Sequence, residues 1–151
     1  SSGIVLMEVY ETDSTGASFA NISTRAYAAQ GNSATIGGFV VTGNMPKKIL
    51  MRAVGPTLTS YGIAESQVLL DPTIELRQGT TILATNDNWV ENQNAAEITN
   101  TSALIGASPL HSSDTESAAL LIELEPGVYT FSVSGKDGST GLVLAEIYDA
   151  D

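Results

Sequence analysis

A chain of 151 residues with no cysteine, 17 acidic and 6 basic residues and a net charge of −11 is the length of one domain, which must be stabilised by packing without disulfides. That charge weighs against nucleic acid and anionic membrane surfaces as partners, and no apolar run approaches the roughly 20 residues needed for membrane insertion. Few Lys and Arg beside abundant Thr, Ser, Asn and Gly is a composition associated with secreted bacterial β-proteins, so the expected location is extracellular or the cell surface.

Short apolar segments punctuated by Gly, Asn, Asp and Pro predict an all-β fold, a jelly-roll-like antiparallel β-sandwich with one or two short helical turns. In chain order, strands are expected near Ile4–Glu11, Ser18–Ala28, Ala34–Val41, Lys48–Ala53, Thr73–Arg77, Thr81–Thr85, Ser117–Leu124, Gly127–Ser134 and Gly141–Asp149. Thr57–Ile63 and Asn94–Leu104 carry helix-like spacings, Leu58/Tyr61 and Ala95/Ile98, and should form the helical turns over an open end of the sandwich. In TFSVS, Phe131 and Val133 face one way and Thr130, Ser132 and Ser134 the other, the pattern of a half-buried strand. Pro126 and Gly127 fit a tight turn with positive φ at the glycine, and Asp137-Gly138 is the turn pair of a hairpin. Arg25 and Arg52 are scarce cations beside apolar strands, and each is expected to pair with a Glu. The sequence begins at Ser1 without methionine, as in a processed protein or an excised repeat, and divides into an N-terminal strand and connector (1–13) and one sandwich domain (14–151).

Catalytic residues are not expected. His111 is the sole histidine and sits in the polar stretch SPLHSSDTES, where a solvated ring is the ordinary reading; without a cysteine nucleophile either, the chain does not read as an enzyme. The densest group of oxygen ligands is TNDNWVENQN, where Asn86, Asp87 and Asn88, with Asp71 upstream, can offer Ca²⁺ the hard donors it prefers. Asn and Asp also dominate turns by bonding their own backbone, and the spacing is not that of an EF-hand loop, so no cofactor is required and Ca²⁺ is the one candidate. Trp89 follows immediately: beside polar neighbours it suits stacking on a sugar, and equally it suits plugging an open end of the core.

From Leu70 onward, DPTIELRQGTTILATNDNW and ESAALLIELEPGVYTFSVSGKDGSTGLVLAEIYD resemble the bacterial pre-peptidase C-terminal type of domain, in which an Asp-Pro strand, an acidic turn and a PGxYxxxVSG hairpin follow in this order. ANISTRAYAAQGNSATIGGFVVTG with KKILMRAVGPTL looks like a repeat of large secreted proteins from Verrucomicrobia-like bacteria. The resemblance implies a secreted, jelly-roll-like, non-catalytic accessory or surface module. It also links the acidic turn, here Asn86, Asp87 and Asn88 with Asp71, to calcium and to sugar contact.

The two ends of the chain carry nearly the same strand. SSGIVLMEVYETD aligns without gaps on STGLVLAEIYDAD, with identities at Ser1/Ser139, Gly3/Gly141, Val5/Val143, Leu6/Leu144, Glu8/Glu146, Tyr10/Tyr148 and Asp13/Asp151. Both copies are apolar on both faces, which suits an interior place with neighbours on either edge, since such a strand left bare is a template for pairing. Three explanations follow. The copies occupy pseudo-equivalent places in one domain; the first is carried over from a preceding repeat; or it completes the sheet of another subunit as a donor strand. The last predicts a non-catalytic structural subunit that binds copies of itself, or adjacent repeats, head to tail through Ile4, Val5, Leu6, Met7, Val9 and Tyr10, building a filament or surface array. The alternative is a calcium-assisted carbohydrate-binding module of a secreted enzyme, using Trp89 against a polysaccharide.

Overall fold

Period-two alternation builds most of this molecule. The computed structural model describes residues 5–11 and 18–151, and the described residues contain β1 (Asn21–Ala28), β2 (Thr35–Val41), β3 (Lys47–Val54), β4 (Pro72–Gln78), β5 (Thr81–Asn86), α1 (Ala95–Leu104), β6 (Ala118–Leu124), β7 (Gly127–Gly135) and β8 (Gly141–Asp149). The strands form two four-stranded antiparallel sheets, ordered β1-β8-β3-β6 and β2-β7-β4-β5, as an antiparallel β-sandwich requires.

Between the sheets lies the main core. Tyr129, Phe131 and Val133 enter it from β7, Ile74 and Leu76 from β4, Met51 and Ala53 from β3, and Val143 and Ala145 from β8. A second cluster covers the outer face of the first sheet, where Leu50 and Tyr148 pack under Ile98 of α1 and Ala107. This explains why KKILMRAV lacks alternation: β3 is apolar on both faces because it is buried on both. Thr57–Ile63 becomes a 3₁₀ helix over Pro56–Tyr61, and the helix expected at Asn94–Leu104 is α1.

Four local expectations need correction. Residues 5–11 form no strand; the place that suits their pattern, between β1 and β3, is filled by their twin β8, and Val5 and Leu6 are 85% and 81% exposed. The strand expected from Ser18 begins only at Asn21. Gly127 does not adopt positive φ, and the atom nearest to a Cβ placed there is Gln78 Nε2, the movable end of a long side chain. Asp137 and Gly138 do take positive φ, 51° and 84°, but the hairpin expected around them does not form, because β7 and β8 lie in different sheets and residues 136–140 carry the chain from one sheet to the other. Ile4 and most of the connector ETDSTG lie outside the described residues.

Candidate functional site

The geometry that matters most is the slot of β8, because it shows what this strand sequence needs. Its inward side chains, Val143 and Ala145, are 0% and 3% exposed in the main core, and Ile147 packs against it. On its outer face Glu146, 3% exposed, meets Arg52 of β3, 1% exposed, directly across the ladder. Arg52 donates to Glu146 Oε2 from Nε (2.9 Å) and Nη2 (2.6 Å), and from Nη1 to Ser108 O (2.8 Å). Glu146 Oε1 accepts from Tyr148 Oη (2.7 Å) and Ser23 Oγ (3.2 Å), and the guanidinium lies 5.5 Å from the Tyr148 ring centroid. A buried ion pair survives only when its remaining donors and acceptors are satisfied, and here the backbone and two hydroxyls do that. Burial and the hydrogen bond to Glu146 both raise the Tyr148 phenol above its ordinary pKa.

Residues 5–11 carry Val, Leu, Glu and Tyr at the matching positions but pair with neither β1 nor β3. Val5, Leu6, Met7, Val9 and Tyr10 are all exposed. Tyr10 Oη nonetheless donates to Glu8 Oε1 (2.8 Å), the contact that Tyr148 makes with Glu146. The segment is tied to the sandwich near its end, where Phe19 N–H donates to Glu11 Oε2 (3.0 Å).

Of the four predicted metal ligands, the fold brings three to one end of the second sheet. Asp71 precedes β4, Asp87 and Asn88 follow β5, and the connection from β7 to β8 closes over them, with Lys136 N–H donating to Asp71 O (2.9 Å). Asp71 Oδ1, Asp87 Oδ1 and Asn88 Oδ1, together with Ser139 Oγ, are shielded from solvent with no hydrogen-bond partner among the described residues. Lys136 Nζ lies 2.8 Å from Asp87 Oδ2 and 3.8 Å from Asp71 Oδ2. Desolvation, partly offset by Lys136, pushes the Asp71 carboxyl above the ordinary value. Two carboxylate oxygens, a carboxamide oxygen and a hydroxyl are hard donors that fit Ca²⁺. Only two acids meet here; among the described residues no three His, Cys, Asp or Glu side chains gather.

Asn86 is turned to another task. Its Oδ1 accepts from Ala119 N–H (2.8 Å), Asn92 Nδ2 donates to Ala119 O (2.9 Å) and Asn94 Nδ2 to Leu121 O (3.1 Å), so these carboxamides cap the outer edge of β6. The sequence reading missed that role for Asn92 and Asn94. Trp89 is half-buried, packing against the second cluster with its Nε1 donating to Asp114 O (2.7 Å). His111 is exposed and bonded within its own turn, Nδ1 to Ser113 Oγ (2.8 Å). Also missed was Asp114, 3% exposed, whose Oδ2 accepts from Thr57 N–H (3.0 Å), Thr57 Oγ1 (2.6 Å) and Ser117 Oγ (2.7 Å), locking the Gly55-Pro56 turn to the loop before β6. A lone Asp three residues ahead of a Ser was the only signal for it.

No helix among the described residues is long and apolar enough to cross a membrane. No family model matches the chain, and no curated protein matches it. Among solved structures, the chain is similar to the pre-peptidase C-terminal domain of a collagenase from Bacillus anthracis, at 14% identity with a TM-score of 0.48, over 85% of this chain and 89% of that one.

Proposed function

We propose that this protein is a non-catalytic structural subunit of an extracellular assembly, joined head to tail to copies of itself through residues 5–10. One observation carries the reading: a near-copy of β8, apolar on both faces, stands outside both sheets while β8 fills the interior place such a strand requires. Donated into another subunit, the segment would gain main-chain hydrogen bonds along its length and bury side chains now in water. Such a contact does not close on itself, so it propagates into a chain of subunits. In a tandem array within one polypeptide the same contact would join adjacent repeats. Sedimentation and negative-stain microscopy test it: the full chain should form extended particles, and a variant lacking residues 1–13 should remain a folded monomer. A full chain that stays monomeric at every concentration overturns the proposal.

The oxygen cluster supports a second reading, a calcium-assisted carbohydrate-binding module. Beside it runs a polar cleft of about 500 Å³, lined by Thr73, Glu75, Glu91, Ser132 and Ser134 along with Asp87 and Asn88. Hydroxyls and carboxylates of this kind suit a polysaccharide. Binding on a glycan array that disappears with EGTA and with Glu75→Gln would favour this module over the structural subunit.

A further inference from the structure

A strand donated to this sandwich needs a free edge, and the sheets have four: β1 and β6 in one, β2 and β5 in the other. The edge of β6 is closed by Asn86, Asn92 and Asn94, which hold the backbone groups of Ala119 and Leu121, and by Trp89 N–H, which donates to Ser117 O (2.9 Å). That strand also carries Glu123, a like charge for an incoming Glu8. β2 (TIGGFVV) and β5 (TILATN) carry no charge. β1 (NISTRAYA) carries Arg25, exposed and paired with no carboxylate among the described residues.

The ladder fixes which backbone groups β1 offers. Asp149 N–H donates to Ala20 O, so by antiparallel alternation Ile22, Thr24, Ala26 and Ala28 bond to β8, while Asn21, Ser23, Arg25 and Tyr27 turn their N–H and C=O to the open side. On the other side of β8, Ala150 N–H donates to Lys48 O, so Arg52 and Glu146 form a hydrogen-bonded pair. The free edge of β1 therefore presents an arginine in the same backbone phase in which β3 presents Arg52 to β8.

Resting on the assembly reading above, we propose that residues 5–11 of one copy add antiparallel to the free edge of β1 in a second copy, with Glu8 opposite Arg25. This register sets Tyr10 opposite Ser23 and Leu6 opposite Tyr27 on the outer face. Val9 and Met7 stand opposite Thr24 and Ala26 on the inner face. Ile22 faces the core side yet is 44% exposed, and Thr24, Ala26 and Phe39 are only half-buried, so this flank of the core lacks a cover that Val5, Met7 and Val9 supply. Glu8 would repeat toward Arg25 what Glu146 does for Arg52, and Tyr10 already holds Glu8 as Tyr148 holds Glu146.

The chain has no cysteine, so engineered pairs report register cleanly. Oxidised Y10C/S23C protein should run as a ladder of cross-linked multimers, while L6C/S23C, which matches a parallel register, should not. In sedimentation, Arg25→Glu should weaken self-association about tenfold, since like charges directly opposite destabilise a ladder, and Glu8→Arg combined with Arg25→Glu should restore it. A ladder from L6C/S23C alone overturns the register. Cross-linking of Y10C/S23C within a single chain overturns pairing between copies. Normal assembly of Arg25→Glu without a Y10C/S23C ladder overturns β1 as the acceptor while leaving self-association intact. A wild-type chain that never associates defeats the assembly reading itself.

Discussion

Residues 5–10 and 143–148 carry Val, Leu, Glu and Tyr at the same positions, yet Val143 is 0% exposed and Val5 85%. The difference lies in neighbours. β8 has β1 on one edge and β3 on the other, with the second sheet beneath and α1 above. The N-terminal copy belongs to neither sheet among the described residues of its own chain. Sequence pattern states what a strand can bury, whereas the number of slots in the fold decides whether it buries it.

The largest effect should come from placing one charge in both copies. Val143→Asp puts an unpaired carboxylate in the dry core, a cost of about several kcal/mol against a total stability of roughly 5–15, so little folded protein should remain by circular dichroism. Val5→Asp and Leu6→Asp should leave the melting curve where it was and remove association. A folded Val143→Asp, or a destabilised Val5→Asp, breaks the contrast.

A smaller effect is expected at the glutamates. Glu146→Ala leaves Arg52 buried with only Ser108 O to hold it, and should cost about 3–5 kcal/mol in denaturant unfolding. Glu8→Ala should leave the unfolding midpoint unchanged and act on association alone.

Smaller still is the pair of tyrosines. Removing the Tyr148 hydroxyl by Tyr148→Phe deprives Glu146 of one donor and should cost about 1–2 kcal/mol. The folded state raises the Tyr148 phenol, so it binds this proton more tightly than the unfolded chain. Its contribution is complete below the ordinary phenol value and is lost as pH climbs through the higher folded one. Wild-type unfolding should therefore steepen with pH above about 10, and Tyr148→Phe should flatten that slope. Tyr10→Phe should leave the unfolding free energy at neutral pH where it was.

Much of this architecture was legible because the physics behind it is local. TFSVS alternates because one face meets the core, KKILMRAV does not alternate because both faces do, and Asp137-Gly138 names its own turn. Arg52 stood out as a rare cation in an apolar strand, and its partner is Glu146; Arg25 drew the same expectation, yet it stands exposed on an edge strand and forms no ion pair with a Glu among the described residues. What escaped depends on long-range placement. Nothing near Asn92 or Asn94 says that their carboxamides will meet β6, and Ser139 enters the oxygen cluster only because the connection from β7 to β8 crosses between the sheets over Asp71. The Gly127 expectation assigned a positive φ that the chain does not use there.

The smallest effect expected is that of calcium, and it separates the stability of the domain from contact between subunits. Asp71, Asp87, Asn88 and Ser139 lie on the second sheet and its connections, whereas β1 belongs to the first, so the ion should act on one property and not the other. The folded state raises the Asp71 carboxyl, so this group's contribution is complete below its ordinary value of 3.8 and declines as pH rises through the higher folded value. A bound cation favours the ionised carboxylate and offsets that loss. Calcium should consequently raise the melting temperature at neutral pH, by an amount set by its concentration relative to its dissociation constant, and lose the effect near pH 4. Asp87→Asn should remove the calcium response, and EGTA should leave the length distribution of assemblies as it was. An identical melting curve with and without EGTA at neutral pH removes the ion from the account. Shortened assemblies in EGTA would instead place calcium at the contact between copies, contradicting an acceptor edge on β1 held by Arg25 and Glu8.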